Sequence, residues 1–308
     1  MADSRIDVSA ANDALVRSGF PAHWRPMDRT DAGRLNWQAE GVDLPYVILI
    51  TGRCGSTHLA SMLAASGACG QPMEYFNEMY VPDLEEAAGA GSIGEYIANL
   101  ARSRSSNRRF GVKIDHWRWE RLRTFVDVET LFPRGRSAFF MMTRDDIVAQ
   151  AYSFATARAT GIWHEHAGAP VPNERSYAPS DAELLRELTL IALGETGLSR
   201  YLAQSQRPAL RLTYEGLMRD TEGVLRRIGE VLAVGTIRWE RPAPTLSNVR
   251  PISYSRRDER ITEFKSRFST EIEFLVKRRQ DFPYDAFRTL VLKTHGIDVA
   301  AWPKQENA

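Results

Sequence analysis

The sequence predicts an α/β fold, with a mainly parallel central sheet flanked by helices. Three observations predict it. Short runs that are apolar on both faces recur along the chain, as in strands covered on both sides. Helical patterns separate these runs, which is the order of a parallel sheet. The first run passes directly into a Gly-rich loop and then a helix, a strand–phosphate loop–helix unit.

Residues 1–43 are polar with scattered aromatics, and read as an extension of short helices and loops. The first strand is Leu44-Pro45-Tyr46-Val47-Ile48-Leu49-Ile50. It leads into Thr51-Gly52-Arg53-Cys54-Gly55-Ser56-Thr57, and the helix that follows covers His58 to Ala65 and ends near Gly67. Phe110 to Ile114 is the second strand and Ala138 to Thr143 the third. A helix follows over Ile147–Thr160, with Asp145 or Asp146 suited to its first turn because a carboxylate there meets the positive end of the helix dipole. Asp181 to Gln206 reads as a long amphipathic helix with Leu184, Leu185, Leu188, Ile191, Ala192 and Leu198 inward. Ala209 to Leu212 is the fourth strand, Glu222 to Ala233 another helix, 241–257 a loop rich in Pro, Ser and Arg, and the chain is helical again from Glu259. No internal repeat or linker divides the 308 residues, so a single domain is expected.

Composition narrows the function. Hydrophobic residues make up 43% and charged residues 26%, enough for a sizeable core. The 40 basic and 39 acidic residues nearly cancel, which argues against a bulk nucleic-acid binder. Any anion site must therefore be a local basic cluster. Two cysteines, Cys54 and Cys69, offer no disulfide framework and fit a reducing compartment. No run reaches the ~20 apolar residues that span a bilayer. The expected location is cytoplasmic.

The loop at residues 51–57 carries the strongest chemical signal. A loop leaving a buried strand to open a helix points backbone N–H groups and the positive helix end at one spot. Gly52 and Gly55 allow close backbone approach to an anion. Arg53 offers a bidentate cation, and Ser56 and Thr57 add hydroxyls. A Walker A loop needs Lys before Ser or Thr, and none precedes Ser56 or Thr57. A cysteine phosphatase would need Arg six residues after Cys54, where Ala60 stands. The bland alternative is an incidental Gly-rich turn. Arg144 follows the third strand, and Ser153 lies nine residues later in the next helix; facing each other, they can bind a second phosphate. The competing reading pairs Arg144 with a carboxylate and leaves Ser153 to solvent.

With these residues in place, the chain resembles the bacterial trehalose-sulfotransferase-like family of the sulfotransferase superfamily. The segments Thr51–Phe76, Arg144–Trp163, Tyr214–Leu232 and Asp258–Phe268 carry the likeness, the first two most specifically. The resemblance implies a 3′-phosphoadenosine-5′-phosphosulfate donor, bound by Arg53, Cys54, Gly55, Ser56 and Thr57 at its 5′ end and by Arg144 and Ser153 at its 3′-phosphate. Arg256 or Arg257, in a loop that closes over the 3′-phosphate, would add to that site, with Arg250 a further basic residue of the same loop. It implies transfer to a hydroxyl of a carbohydrate, glycolipid or other metabolite, no metal, no nucleic acid and a homodimer. In Gly70-Gln71-Pro72-Met73-Glu74-Tyr75-Phe76, Glu74 occupies the family's base position, with the plain surface carboxylate as the alternative. Gln71 stands where the trehalose enzyme has a sugar-contacting Glu, which counts against trehalose as the acceptor and leaves the donor site untouched.

Arg53 and the loop amides would stabilise the transferring group, since such chemistry rests on positioning and electrostatics. Trp117 and Trp163 suit an acceptor rim, against the reading of partly buried packing residues. His58 reads as a packed or solvated helix residue. His116 lies in the same aromatic stretch as Trp117 and Trp119. His164 and His166 with Glu165 match no common metal spacing. Lys113 can point into the pocket or pair with Asp115. Two rivals remain, a nucleotide kinase-like phosphotransferase and a non-catalytic nucleotide-binding protein.

Overall fold

The computed structural model describes residues 20–21, 23–28, 30–31, 35–163, 177–239 and 257–300. Four strands form one parallel sheet: β1 (Leu44–Ile50), β2 (Arg109–Asp115), β3 (Ala138–Thr143) and β4 (Leu210–Thr213), in the order β2-β1-β3-β4. The helices are α1 (Ser56–Ala65), α2 (Val81–Ala88), α3 (Ile93–Arg104), α4 (His116–Phe125), α5 (Val128–Leu131), α6 (Ile147–Thr160), α7 (Asp181–Gln204), α8 (Tyr214–Arg219), α9 (Thr221–Leu232), α10 (Arg257–Arg267), α11 (Ser269–Lys277) and α12 (Tyr284–His295). The α/β reading of the sequence therefore holds. β1 is buried from Pro45 to Ile50 and β3 from Ala138 to Met142, as strands covered on both faces must be. β4 is a partly exposed edge strand of four residues.

The chain sorts into two compact units, each assembled from separated stretches: residues 1–49, 62–140 and 222–239 in one, and 50–61, 141–221 and 240–308 in the other. In the first unit the tail of the N-terminal extension is packed. Trp24 is buried, tilted against Phe20 and Tyr96. Its indole N–H donates to Glu85 at 2.5 Å. Trp37 donates to the Leu131 carbonyl at 2.7 Å. Helices α2 and α3 before β2, and α4 after it, fill two stretches for which the sequence yielded no elements. Ser92 caps α3 by accepting from Glu95 N, and Asp115 caps α4 by accepting from Arg118 N. Trp119 is fully buried beside Phe132 and Phe139, so it is a core residue.

In the second unit α6 and α7 pack along each other. Leu184, Leu185, Leu188, Ile191 and Ala192 face that core with Ile147, Val148 and Ala151. Ser180 and Glu183 close a reciprocal capping box at the start of α7. Phe264 and Phe268 of α10 stack at 4.6 Å within the same core. Among the described residues no helix is long and apolar enough to cross a membrane. Arg250, Arg256 and the histidines at 164 and 166 lie outside the described residues.

Candidate active site

The carboxyl ends of β1, β3 and β4 fall in the second unit, and each delivers one part of a cluster around Arg53 and Arg144. After β1, Arg53 and Gly55 both take left-handed backbone, with φ of 64° and 85°. That double reversal turns the chain sharply enough for α1 to begin at Ser56, two residues earlier than the sequence pattern indicated. The amides of Ser56 and Thr57 thus lie in the first turn, where a helix has no carbonyls of its own to offer. Both glycines are required by space. A Cβ on Gly52 would lie 2.8 Å from Cζ of Phe154, and one on Gly55 would lie 2.3 Å from Cδ2 of Tyr214. Cys54 is wholly buried and presents no thiol to solvent. His58 sits half-buried on α1, its carbonyl accepting from the Ser61 hydroxyl.

Helix α6 backs the loop with one face. Asp146 caps it, accepting from Ala149 N at 3.0 Å. Gln150 is fully buried. Its amide nitrogen donates to Thr51 Oγ1 at 2.9 Å and to the Gly52 carbonyl at 2.8 Å. Because the Gly52 carbonyl only accepts, the orientation of this amide is settled. One turn on, the Ser153 hydroxyl accepts from Arg53 Nε at 2.9 Å. Arg53 Nη1 also donates to the Trp163 carbonyl. The Trp163 ring meets Phe154 edge-on at 5.9 Å. Residues 150, 153 and 154 have the i, i+3, i+4 spacing of one helix face. The sequence suggested Arg144 as the partner of Ser153; the structure joins Ser153 to Arg53.

Arg144, at the end of β3, lies over the Tyr214 ring, its guanidinium carbon 4.9 Å from the ring centre. Its Nε is 3.7 Å from Glu215 Oε1, an ion pair without a hydrogen bond. The carboxylate reading of Arg144 is therefore correct as far as it goes, and Glu215 is the carboxylate. Arg257, the described member of the C-terminal arginine pair, opens α10.

The first unit holds the other candidate group. The stretch around Met73 runs parallel to β2, with Lys113 N donating to the Met73 carbonyl at 2.9 Å. Gly70 has φ 71°, and a Cβ there would lie 2.5 Å from the Arg109 carbonyl oxygen. This turn presents Glu74 to β2, where Lys113 Nζ reaches Glu74 Oε1 at 3.1 Å. Asn77 Nδ2 donates to Oε2 at 3.0 Å. Burial pushes the Glu74 pKa up, but the Lys113 and Arg118 charges and these hydrogen bonds outweigh it and hold the carboxyl below its ordinary range. Glu74 is thus a held, ionised carboxylate and not a plain surface one. Lys113 serves Glu74, while Asp115 caps α4 and binds Arg118. Gln71 is exposed, and its side-chain oxygen accepts from Arg104 at 3.2 Å. Trp117 is half-buried beside His116, at 4.8 Å between rings.

Sequence reasoning missed Gln150, Phe154 and the roles of Tyr214 and Glu215. The helical spacing from Ser153 pointed to Gln150 and Phe154. Nothing local pointed to Tyr214 and Glu215, which reach the loop and Arg144 only through the order of the strands. Among the described residues no group of three or more His, Cys, Asp or Glu side chains is placed to hold a metal ion.

No curated protein matches the chain. A family model described as Stf0 sulphotransferase matches residues 45–114 and 120–271. That span contains the loop, Glu74, Arg144, Ser153 and Glu215. A match over so much of the sequence decides the matter: this chain belongs to the Stf0 sulphotransferase family.

Proposed function

We propose that the protein transfers a sulfuryl group from 3′-phosphoadenosine-5′-phosphosulfate to a hydroxyl of a carbohydrate, glycolipid or other metabolite. The observation that carries this reading is the Arg53–Ser153 hydrogen bond. It links the loop after β1 to the helix after β3, the two stretches that would take the two phosphate ends of one nucleotide. The α1 amides that follow the left-handed Arg53 and Gly55, and the Arg144 Nε without a hydrogen-bond partner among the described residues, fit an anionic ligand.

The donor supplies an activated sulfur whose bond to the 5′-phosphate breaks as the acceptor oxygen bonds to it. Arg53 and the first amides of α1 bind the 5′ end and offset charge on the equatorial oxygens and the departing phosphate. Arg144, with Arg256 or Arg257, binds the 3′-phosphate. Glu74 takes the acceptor proton, and Lys113 keeps it ionised to do so. A general base of this kind contributes ~10²–10⁴-fold. Trp117, Trp163 and Gln71 are proposed at the acceptor side. On this reading the protein acts as a homodimer, by family resemblance, and in the cytoplasm, by its two cysteines and lack of a long apolar run.

Titration calorimetry with 3′-phosphoadenosine-5′-phosphate against ATP tests the donor. The bisphosphate should bind and ATP should not compete. Arg53→Ala should weaken the bisphosphate by ~1.5–3 kcal/mol, the range for a hydrogen bond to a charged group. Glu74→Gln should bind it normally and lose transfer. Preference for ATP, or near-normal turnover by Glu74→Gln, would overturn the donor or the base respectively.

A further inference from the structure

The dipeptide Tyr214-Glu215, at the junction of β4 and α8, touches both halves of that cluster. Thr213 caps α8 by accepting from Gly216 N at 3.0 Å, which holds the junction in place. The Tyr214 ring lies where a Gly55 Cβ would fall, and its face carries the Arg144 guanidinium. The Glu215 carboxylate accepts from Asp145 N at 2.7 Å and Asp146 N at 3.2 Å, and stands 3.7 Å from Arg144 Nε. One carboxylate thus sits on the first amides before α6 and beside the arginine that precedes them. The backbone of Arg144 is held from another side. Its carbonyl accepts from Arg279 Nη2 at 2.8 Å. Arg279 in turn forks onto buried Glu195 at 2.8 and 2.6 Å.

A carboxylate beside an anion site repels the anion, so Glu215 is not itself a ligand for phosphate. What it does is fix the arginine. The Arg144 Nε is buried and has no hydrogen-bond partner among the described residues, so the direction of its guanidinium depends on the Tyr214 face and the Glu215 charge. We propose that Glu215 is a positioning residue for the 3′-phosphate: it sets Arg144 and the start of α6 so that the arginine faces the nucleotide. The inference rests on the donor reading above.

The test compares 3′-phosphoadenosine-5′-phosphate with adenosine 5′-monophosphate, which lacks the 3′-phosphate, by calorimetry. Wild type should prefer the bisphosphate. Glu215→Gln keeps the shape but loses the charge and one of the two oxygens that accept from Asp145 N and Asp146 N; it should weaken the bisphosphate about tenfold and leave the monophosphate unchanged. In an Arg144→Ala background the same change should not further lower the preference for the bisphosphate over the monophosphate, since the arginine it positions is gone. If Glu215→Gln does not fold, Glu215→Asp carries the test, and selective loss of the bisphosphate is again required. Equal loss for both nucleotides, additive losses of that preference with Arg144→Ala, or tighter bisphosphate binding would overturn the assignment. A wild type indifferent to the 3′-phosphate would overturn the donor reading itself.

Discussion

The acid–base character of Glu74 is set by the groups around it, Lys113 first among them. Burial alone would raise its pKa. The Lys113 ammonium at 3.1 Å reverses that, with Arg118 and Asn77 helping. As the carboxyl is held below its ordinary range, its protonated form appears only as pH falls beneath that range, and the acid limb of kcat/KM should lie there. Lys113→Met leaves only Arg118 and Asn77 to oppose burial. The acid limb should then move to higher pH, measured as kcat/KM across pH with a hydroxyl acceptor. An unmoved limb would show that Glu74 does not carry the essential proton. At Ser153 the scale of a single residue also matters. Its hydroxyl accepts from Arg53 Nε and, with the Trp163 carbonyl, holds the guanidinium over α6.

Between elements, the strand–loop–helix unit and α6 are fitted to each other through small residues. Gly52 accommodates Phe154 and Gly55 accommodates Tyr214, while Gln150 ties the loop to α6. Gly55→Ala faces two costs. A left-handed residue with a Cβ costs about 1–2 kcal/mol, and the new methyl must displace the Tyr214 ring. Affinity for 3′-phosphoadenosine-5′-phosphate should fall, because the ring also bears Arg144, and urea unfolding should show lower stability. Unchanged affinity would mean that the loop shape does not govern donor binding. Much at this scale was legible beforehand. β1, β3 and α7 follow from continuous apolar runs and from Leu184, Leu185 and Leu188 at helical spacing. The Ser92–Glu95 start of α3 carried its own cap signal. α4 did not announce itself, because His116-Trp117-Arg118-Trp119 alternates polar and aromatic residues like a strand, and only its Asp115 cap marks a helix.

For the molecule as a whole, ionised carboxylates are a shared dependence. Asp146 and Glu183 are raised by burial but lowered further by their hydrogen bonds and nearby cations. Glu74 and Glu78 are lowered against burial by neighbouring Lys and Arg. A carboxyl whose folded pKa is depressed adds stability above its unfolded pKa, and that stability is lost as pH falls through the folded value. Glu195 runs the other way, since burial raises it even with Arg279 alongside. The depressed groups are the more numerous of those named. The melting temperature should therefore be flat near neutrality and fall as pH drops below the ordinary carboxylate range of about 4. A melting temperature indifferent to acid would show that these pairs do not hold the fold. The family match ends at residue 271, within α11. Beyond it, Phe282, Phe287 and Val291 complete the core of the second unit, and Arg279 braces Arg144.

The sequence by itself determined the fold class, the strand–loop–helix unit and the family, because these are written in local patterns: apolar runs, glycines at fixed offsets, a basic residue at a strand end. It also placed Glu74 as a candidate base. Only the tertiary structure decided who holds whom. Ser153 is 100 positions from Arg53 and Glu215 is 70 from Asp145. Pairs so far apart meet because β3 stands between β1 and β4, and a sheet order set by packing leaves no periodicity for a single sequence to display.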